Sequence, residues 1–208
     1  MPETFAGIDV GGPRKGLDVA VVEARHGAYT LIELERRLIA SDVVVLLTPF
    51  RPLVVAVDSP RCAALHGCKS RPCEVLLRKR ICGIRYTPDD ASLKTSSYYA
   101  WIRNGFSLYD ELDDASKAGT VGDVIECFPT ASWTAIGGAR AKGPEDWESR
   151  AKWTRRLLAR ELEGKRKLTR VPANHNQDER DAIVAAHTAW AWQAGRRPKG
   201  AYWPIVVP

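Results

Sequence analysis

Apolar and polar residues are arranged along the chain in patterns that predict strands near the start and helices later on. Three short apolar segments joined by brief turns open the sequence, and their spacing is typical of an antiparallel meander. A nearly continuous apolar run, as found in buried parallel strands, follows further along. The predicted strands cover residues 4–10, 17–24, 29–37, 53–58 and 121–128.

The segments between and after these strands predict helices. Ser41 is the expected N-cap of the first helix, and Pro72 lies in the first turn of the second. Gly105 is expected to interrupt the third helix, and Pro129 to end the last strand. The tail, residues 202–207, is expected to pack back on the body. The predicted helices cover residues 42–48, 72–82, 95–113, 145–163 and 177–193.

This order of elements predicts an α/β fold. A meander followed by alternating helices and strands gives a mixed five-stranded sheet, antiparallel at one side and parallel at the other, flanked by helices. The succession matches the RNase H-like arrangement. The 208 residues suffice for one domain with its own core, so we predict a single domain over 1–208 with helical elaborations around 89–118 and 140–170.

Three acidic residues, Asp9, Asp58 and Glu126, stand at or near the ends of predicted strands, and Asp181 lies near the start of the last helix. Ligands of open α/β sheets bind beyond the carboxyl ends of strands, so we expect these acids to converge. Clustered carboxylates repel one another unless a cation or protons neutralise them, and oxygen ligands suit Mg²⁺ or Mn²⁺. The four acids are therefore candidate metal ligands and catalytic residues.

Each acid also has a purely structural interpretation. Asp9 and Asp58 precede turns that they could cap, and Asp181 could simply favour a helix N-terminus. Asp178, one helical turn earlier on the same face, competes with Asp181 for the fourth position. Glu126 is harder to explain structurally, because it stands within an apolar strand.

Basic residues give the chain a net charge of +6, which favours acidic partners and makes a nucleic acid plausible. They concentrate in residues 61–85 and 150–170, with Trp147 and Trp153 beside the second cluster as candidates for base stacking. A solvated helix face explains such clusters equally well. The candidate phosphate contacts are Arg14, Lys15, Arg61 and Arg85.

Four of the five cysteines share one segment, but their spacings lack the Cys-x2-Cys pair that is usual in zinc sites. We interpret them as small, reduced, buried thiols, with a zinc site as the alternative. We place Cys73 and Cys82 within the second helix. The four are Cys62, Cys68, Cys73 and Cys82.

Neither a membrane span nor a secretory signal is expected. No apolar run approaches the roughly 20 residues that cross a bilayer, and the start of the chain lacks a basic region followed by an apolar stretch. A cytoplasmic location is therefore the expectation.

An ordered set of motifs, GIDVGG, VVAVDSPR, VIECFPTASW and ERDAIVAAHTAWAW, resembles an uncharacterised prokaryotic family, domain of unknown function 429. Its members are described as predicted nucleases of RNase H fold. The resemblance extends from residue 6 to about residue 193, and it implies that the four acids above form the acidic site.

These observations together favour a metal-dependent nuclease that hydrolyses DNA or RNA. Asp9 and Glu126 would bridge or bind the metals, and Asp58 and Asp181 would complete the coordination. The first alternative is a non-catalytic domain that binds nucleic acid or a nucleotide. The second, less favoured, is a small-molecule phosphotransferase, because the turn after Asp9 resembles the phosphate loop of sugar kinases.

Overall fold

The protein is built around one mixed β-sheet. The computed structural model describes residues 2–26, 28–137, 147–164, 168–172, 174–195 and 205–207. The strands are β1 (Glu3–Val10), β2 (Leu17–Arg25), β3 (Ala28–Leu38), β4 (Val54–Asp58), β5 (Asp123–Cys127), β6 (Leu168–Thr169) and β7 (Ile205–Val206). They lie in the order β6-β3-β2-β1-β4-β5-β7. β1, β2 and β3 are antiparallel neighbours, whereas β4 pairs parallel to β1, β5 to β4 and β7 to β5.

The central order β3-β2-β1-β4-β5 confirms the predicted RNase H-like α/β fold. The prediction of five strands was wrong in number, because the short strands β6 and β7 extend the two edges. Two-residue strands are too short to produce a periodic pattern in the sequence. Residues 205–206 of the tail do pack on the body, whereas residues 202–204 lie outside the described residues.

Helices cover both faces of the sheet. They are α1 (Ala40–Leu47), α2 (Pro72–Arg80), α3 (Asp90–Thr95), α4 (Ala100–Lys117), α5 (Pro129–Gly137), α6 (Trp147–Leu157) and α7 (Gln177–Gln193). A 3₁₀ turn (Ser97–Tyr99) precedes α4, and a π-helical segment (Leu158–Glu163) continues α6. α1 and α4 bury apolar side chains against one face, and α5, α6 and α7 against the other. None of the described helices is long and apolar enough to cross a membrane.

Helices lie in the described parts of the two segments that we predicted as elaborations. The segment 89–118 contains α3, the 3₁₀ turn and α4, and the segment 140–170 contains α6 and the π-helical segment. Residues 138–146 and 165–167 lie outside the described residues.

One prediction about a helix start was wrong, and one helix was not predicted. The N-cap of α1 is Ile39, whose side chain makes no cap hydrogen bond, so Ser41 does not cap this helix. Pro129 ends the β5 segment as expected, but it also begins α5, a helix that the sequence pattern did not predict. Proline fits the first turn of a helix because the amide hydrogen it lacks would have no partner there.

Two further predictions failed inside or at the end of a helix. α4 runs without interruption through Gly105. The glycine is needed for packing, because without a side chain the helix can lie directly on Ser59. A Cβ added at Gly105 would lie 1.9 Å from Ser59 Oγ. α2 ends at Arg80, so Cys82 follows the helix instead of lying within it.

α7 lies against the centre of the sheet and packs closely on β1. A Cβ added at Gly7 would lie 2.0 Å from the backbone nitrogen of Ala186, so only glycine permits this approach. Asn176 and Glu179 form a reciprocal capping box that fixes where the helix begins. The first turns of α7 are thereby held beside the end of β1.

Candidate active site

An open cavity of about 660 Å³ lies at the carboxyl ends of β1, β4 and β5, where the sequence predicted a site. All four predicted acids line it. Asp178 lines it as well, together with the glycine turn that follows β1. The acids are Asp9, Asp58, Glu126 and Asp181.

Asp9 and Asp58 are register partners across the parallel β1–β4 pairing. Burial, followed by the charges of Asp58 and Asp181, raises the pKa of Asp9 well above its ordinary value. Burial and the charge of Asp181 raise the pKa of Asp58 to about 8, against the opposing charge of Arg150. The pair therefore retains protons near neutral pH, and a cation would replace them.

Asp181 is held by three hydrogen-bond donors that sequence reasoning missed. Its Oδ1 accepts from Trp133 Nε1 and Gln177 Nε2, each at 2.9 Å, and its Oδ2 accepts from Arg150 Nη2 at 3.0 Å. Burial raises the pKa of Asp181, while Arg150 opposes the shift. The carboxylate is thereby fixed in orientation at the cavity. Only Gln177, four residues before Asp181 on the same helix, has a spacing that could have indicated this contact.

Asp178 has a different environment from Asp181. Its carboxylate forms an ion pair with Lys15 at 2.6 Å, and its side chain is 24% exposed, against 5% for Asp181. Asp181 is therefore the more deeply placed acid, and Asp178 lies at the rim with Lys15.

Glu126 is engaged by an arginine that the sequence analysis did not single out. Arg71 Nη1 and Nη2 donate to its two carboxylate oxygens at 2.8 and 2.5 Å, and the backbone N–H of Arg61 donates to Oε2 at 2.9 Å. The Arg71 and Glu126 side chains are 6% and 3% exposed. These three donors already neutralise Glu126 and use most of the acceptor positions of its carboxylate.

Arg71 also contacts a second buried acid, Glu74, at 2.9 Å. Glu74 is completely buried and accepts hydrogen bonds from Thr87 N and Thr87 Oγ1 at 3.0 and 2.5 Å. Burial opposes the charge on Arg71, but its bonds and attraction to the two acids outweigh burial and raise its pKa. The i,i+3 spacing of Arg71 and Glu74 around Pro72 was the available sequence signal for this network.

Two of the four predicted phosphate-binding residues line the cavity, and two do not. Lys15 and Arg85 line the cavity. Arg14 is exposed on the turn after β1 and is not among the cavity residues. The Arg61 side chain bonds Asp113 at 2.5 Å and packs over the Tyr109 ring, and Arg61 is not among the cavity residues. Three arginines that were not predicted as phosphate contacts also line the cavity: Arg71, Arg78 and Arg150.

The second basic cluster contributes less to the cavity than expected. Trp153 is buried in the core at 8% exposure and cannot stack on a base. Among the described residues of this cluster, Arg150 lines the cavity. The side chain of Trp147 and residues 165–167 lie outside what the structure describes.

The carboxylate oxygens of the cavity are of the chemical type that binds a hard divalent cation, but the side chains are not grouped closely enough to hold one ion as they stand. Within the described ranges, no three His, Cys, Asp or Glu side chains stand together as a group that could hold one metal ion. However, burial raises the pKa of three neighbouring carboxylates even though Arg150 is paired with Asp181, and such an oxygen donor set suits Mg²⁺ or Mn²⁺. Asp9, Asp58 and Asp181 fit such an ion, whereas Glu126 is already neutralised by Arg71.

The cysteines do not form a zinc cluster in the part of the chain that the structure describes. None of the five, all within the described residues, forms a disulfide bond. Cys73 is buried as predicted, but Cys62 and Cys68 are exposed, so burial does not explain all of them.

Comparison with known proteins gives one family match and several similarities in fold. The family model described as "Protein of unknown function (DUF429)" matches residues 7–202. No curated protein matches. RuvC from Thermus thermophilus is 20% identical with a TM-score of 0.47, over 92% of this chain and 96% of that chain.

Two further solved structures are similar at the same level. The T. thermophilus RuvC in complex with a Holliday junction substrate is 19% identical with a TM-score of 0.48, over 93% of this chain and 96% of that one. The yeast mitochondrial Holliday junction resolvase Ydc2 is 13% identical with a TM-score of 0.48, over 91% and 78%.

Proposed function

Because this chain belongs to the DUF429 family, whose matching model is described only as a protein of unknown function, we infer its function from the cavity itself and propose a divalent-metal-dependent hydrolase of nucleic-acid phosphodiester bonds. One observation carries the proposal. Asp9 and Asp58 are register partners at the ends of adjacent parallel strands, and they share a cavity with Asp181. Buried acids with raised pKa values beside arginine side chains are typical of sites that handle phosphate.

Asp9, Asp58 and Asp181 are the residues that would hold Mg²⁺ or Mn²⁺. When bound, the ion would activate a water molecule and stabilise the leaving oxygen. Trp133, Gln177 and Arg150 orient Asp181, so its carboxylate needs little rearrangement to act as a ligand.

The cavity also contains cations suited to the substrate. Lys15, Arg78 and Arg85 line it on the side of the glycine turn, of α2 and of the segment after α2, where they would neutralise phosphates. The net charge of +6 supports the same partner by attracting a polyanion over a longer range. Neither observation distinguishes DNA from RNA.

The test is cleavage by purified protein of single-stranded, duplex and branched DNA and RNA, with Mg²⁺ or Mn²⁺ and with EDTA. We expect metal-dependent cleavage of at least one substrate, lost in Asp9→Asn. Asp42→Asn, an exposed acid in the first turn of α1, is the matched control and should cleave as the wild type does. Absence of cleavage with either metal on every substrate, or full activity of Asp9→Asn, would overturn the proposal.

A second candidate function, non-catalytic binding of nucleic acid, is favoured by a specific observation. Arg71 and Arg150 already occupy oxygens of Glu126 and Asp181, so two of the four acids have cationic partners without a metal. Calorimetric titration with Mn²⁺ separates the two functions. An affinity that Asp9→Asn leaves unchanged would favour the binding domain over the hydrolase.

A further inference from the structure

One wall of the cavity combines arginine side chains with aromatic rings. Arg78, Arg85 and Trp101 line the cavity directly. Arg85 Cζ lies 5.8 Å from the centre of the Tyr98 ring, and Arg78 Cζ lies 5.2 Å from that of Tyr86. We call these five residues the aromatic wall. It continues the acid-lined cavity outward along α2, the following loop and the start of α4.

The outer ring of the aromatic wall is open to solvent. Tyr98 is 56% exposed, and its arginine neighbour Arg85 is exposed as well. Aromatic rings contribute most to stability when buried, so a largely exposed ring beside a charged cavity points to a binding role. Further in, the buried indole N–H of Trp101 has no hydrogen-bond partner among the described residues.

Hydrogen bonds hold the Tyr98 side of the aromatic wall in place. Ser96 Oγ accepts from the backbone N–H of Tyr98 at 3.2 Å, and Arg103 donates to the carbonyl oxygens of Leu93 and of Ser96. Asn104 Nδ2 donates to the carbonyl oxygen of Gly11 at 2.9 Å, which ties α4 to the turn after Asp9.

The Arg85 side of the aromatic wall is anchored through the buried network. Thr87, two residues after Arg85, bonds Glu74 through both its N–H and its hydroxyl group. Both sides therefore present their exposed side chains from fixed backbone. A surface that is fixed before binding loses less conformational freedom when a ligand is bound.

We propose that the aromatic wall binds an unpaired stretch of nucleic acid, with one base stacked on Tyr98 and an adjacent phosphate paired with Arg85. The inference rests on the proposed function, because the wall opens into the same cavity. In a duplex the base faces are covered by their neighbours, so an exposed protein ring can stack only on a base that has left the helix. An arginine beside the ring supplies the charge that follows the backbone.

Fluorescence anisotropy with a labelled oligothymidylate and with a blunt duplex, both in EDTA, tests this wall without cleavage. We expect tighter binding of the single strand and a loss of about 5-fold to 100-fold in Tyr98→Ala. Tyr98→Phe should bind like the wild type, because stacking requires the ring and not the hydroxyl group.

The salt dependence separates the two contacts. Arg85→Ala should weaken binding and reduce the slope of log affinity against log salt by about 0.7, the value for one single-strand phosphate contact. Tyr98→Ala should leave the slope unchanged. Lys117→Ala and Leu65→Ala remove an exposed charge and an exposed apolar side chain outside the wall, so both should bind as the wild type does.

If Tyr98→Ala and Arg85→Ala bind the single strand with wild-type affinity, the inference is overturned. It is also overturned if the duplex binds as tightly as the single strand and loses as much affinity in the two variants. If the protein cleaves nucleic acid with metal but both variants bind normally, the proposed hydrolase function is retained and the proposed role of the aromatic wall is rejected. If binding depends on Tyr98 and Arg85 but no substrate is cleaved, the role of the aromatic wall is retained and the hydrolase function is rejected.

Discussion

Asp58 couples the stability of the protein to pH, because its pKa of about 8 in the folded state lies above the ordinary value of 3.8. Between these pH values the folded state keeps a proton that the unfolded chain releases. The free energy of unfolding therefore falls as pH rises from about 4 to about 8, by at most about 1.4 kcal/mol per pH unit for one proton.

The first prediction is that Asp58→Asn reduces this loss of stability. Urea unfolding in EDTA at pH 5 and pH 8 should show a smaller difference between the two pH values in the variant than in the wild type. Asp42→Asn should retain the wild-type difference, because this acid is exposed on α1. Equal pH dependence in Asp58→Asn and the wild type would contradict the assignment of the proton to the acid pair.

Glu126 provides a second prediction, which concerns charge inside the protein. Glu126→Gln leaves the buried guanidinium of Arg71 with Glu74 as its charged partner, and breaking a buried ion pair costs about 3–5 kcal/mol. Urea unfolding should show a loss of this order. An unchanged free energy of unfolding would mean that Arg71 needs only one of its two acids.

Binding of Mn²⁺ by the same variant decides whether Glu126 is also a ligand. If Arg71 remains in place, Glu126→Gln should keep the Mn²⁺ affinity, whereas Asp9→Asn should lower it by at least about 10-fold. A comparable loss in both variants would instead support the role of Glu126 as a metal ligand.

The sequence could predict which backbone positions meet at the cavity, but not which side chains neutralise one another there. Strand ends follow from apolar runs, and parallel strand ends share one edge, so Asp9, Asp58 and Glu126 could be located. Arg71 reaches Glu126 from a loop and helix 55 positions earlier in the chain. No periodic pattern encodes that contact, because it depends on how the loop packs.

At the scale of elements, the contact between α7 and β1 sets the geometry of the site, and Gly7 permits it. The third prediction is that Gly7→Ala destabilises the protein by 1–3 kcal/mol or more, about the cost of an overpacked core, since the obstructing atoms are backbone. Thermal unfolding should show the loss. Gly83→Ala is the matched control, because a Cβ there meets nothing within 4 Å. Equal melting temperatures would contradict a close α7–β1 packing.

Long, capped elements were predictable, whereas short ones were not. The predicted bounds of α7, 177–193, agree with the structure because its capping box and long apolar face are local signals. α4 was misjudged at Gly105, since a glycine in a helical pattern gives no sign of the Ser59 side chain that it accommodates. β6 and β7 depend on partners elsewhere in the sheet, and their own residues do not specify them.

For the whole molecule, the raised pKa values predict that divalent ions stabilise the fold, and do so more strongly in alkaline solution. A cation can bind the acids only as they lose their protons, so Mn²⁺ should raise the melting temperature more at pH 8 than at pH 5.5. Asp9→Asn should abolish the increase, and Asp42→Asn should keep it. An increase of the same size in Asp9→Asn would place the ion elsewhere.

The packing of β1 against α7 also has a consequence during protein synthesis. Asp9 leaves the ribosome 172 residues before Asp181, which emerges together with the helix that packs on β1. A nascent chain that has grown only through β5 therefore holds three of the four acids and lacks the helix that brings in the last. Until α7 has been synthesised, the growing polypeptide lacks Asp181 and therefore lacks the complete group of four acids. The cavity is thus incomplete while the ribosome is still translating the earlier part of the messenger RNA.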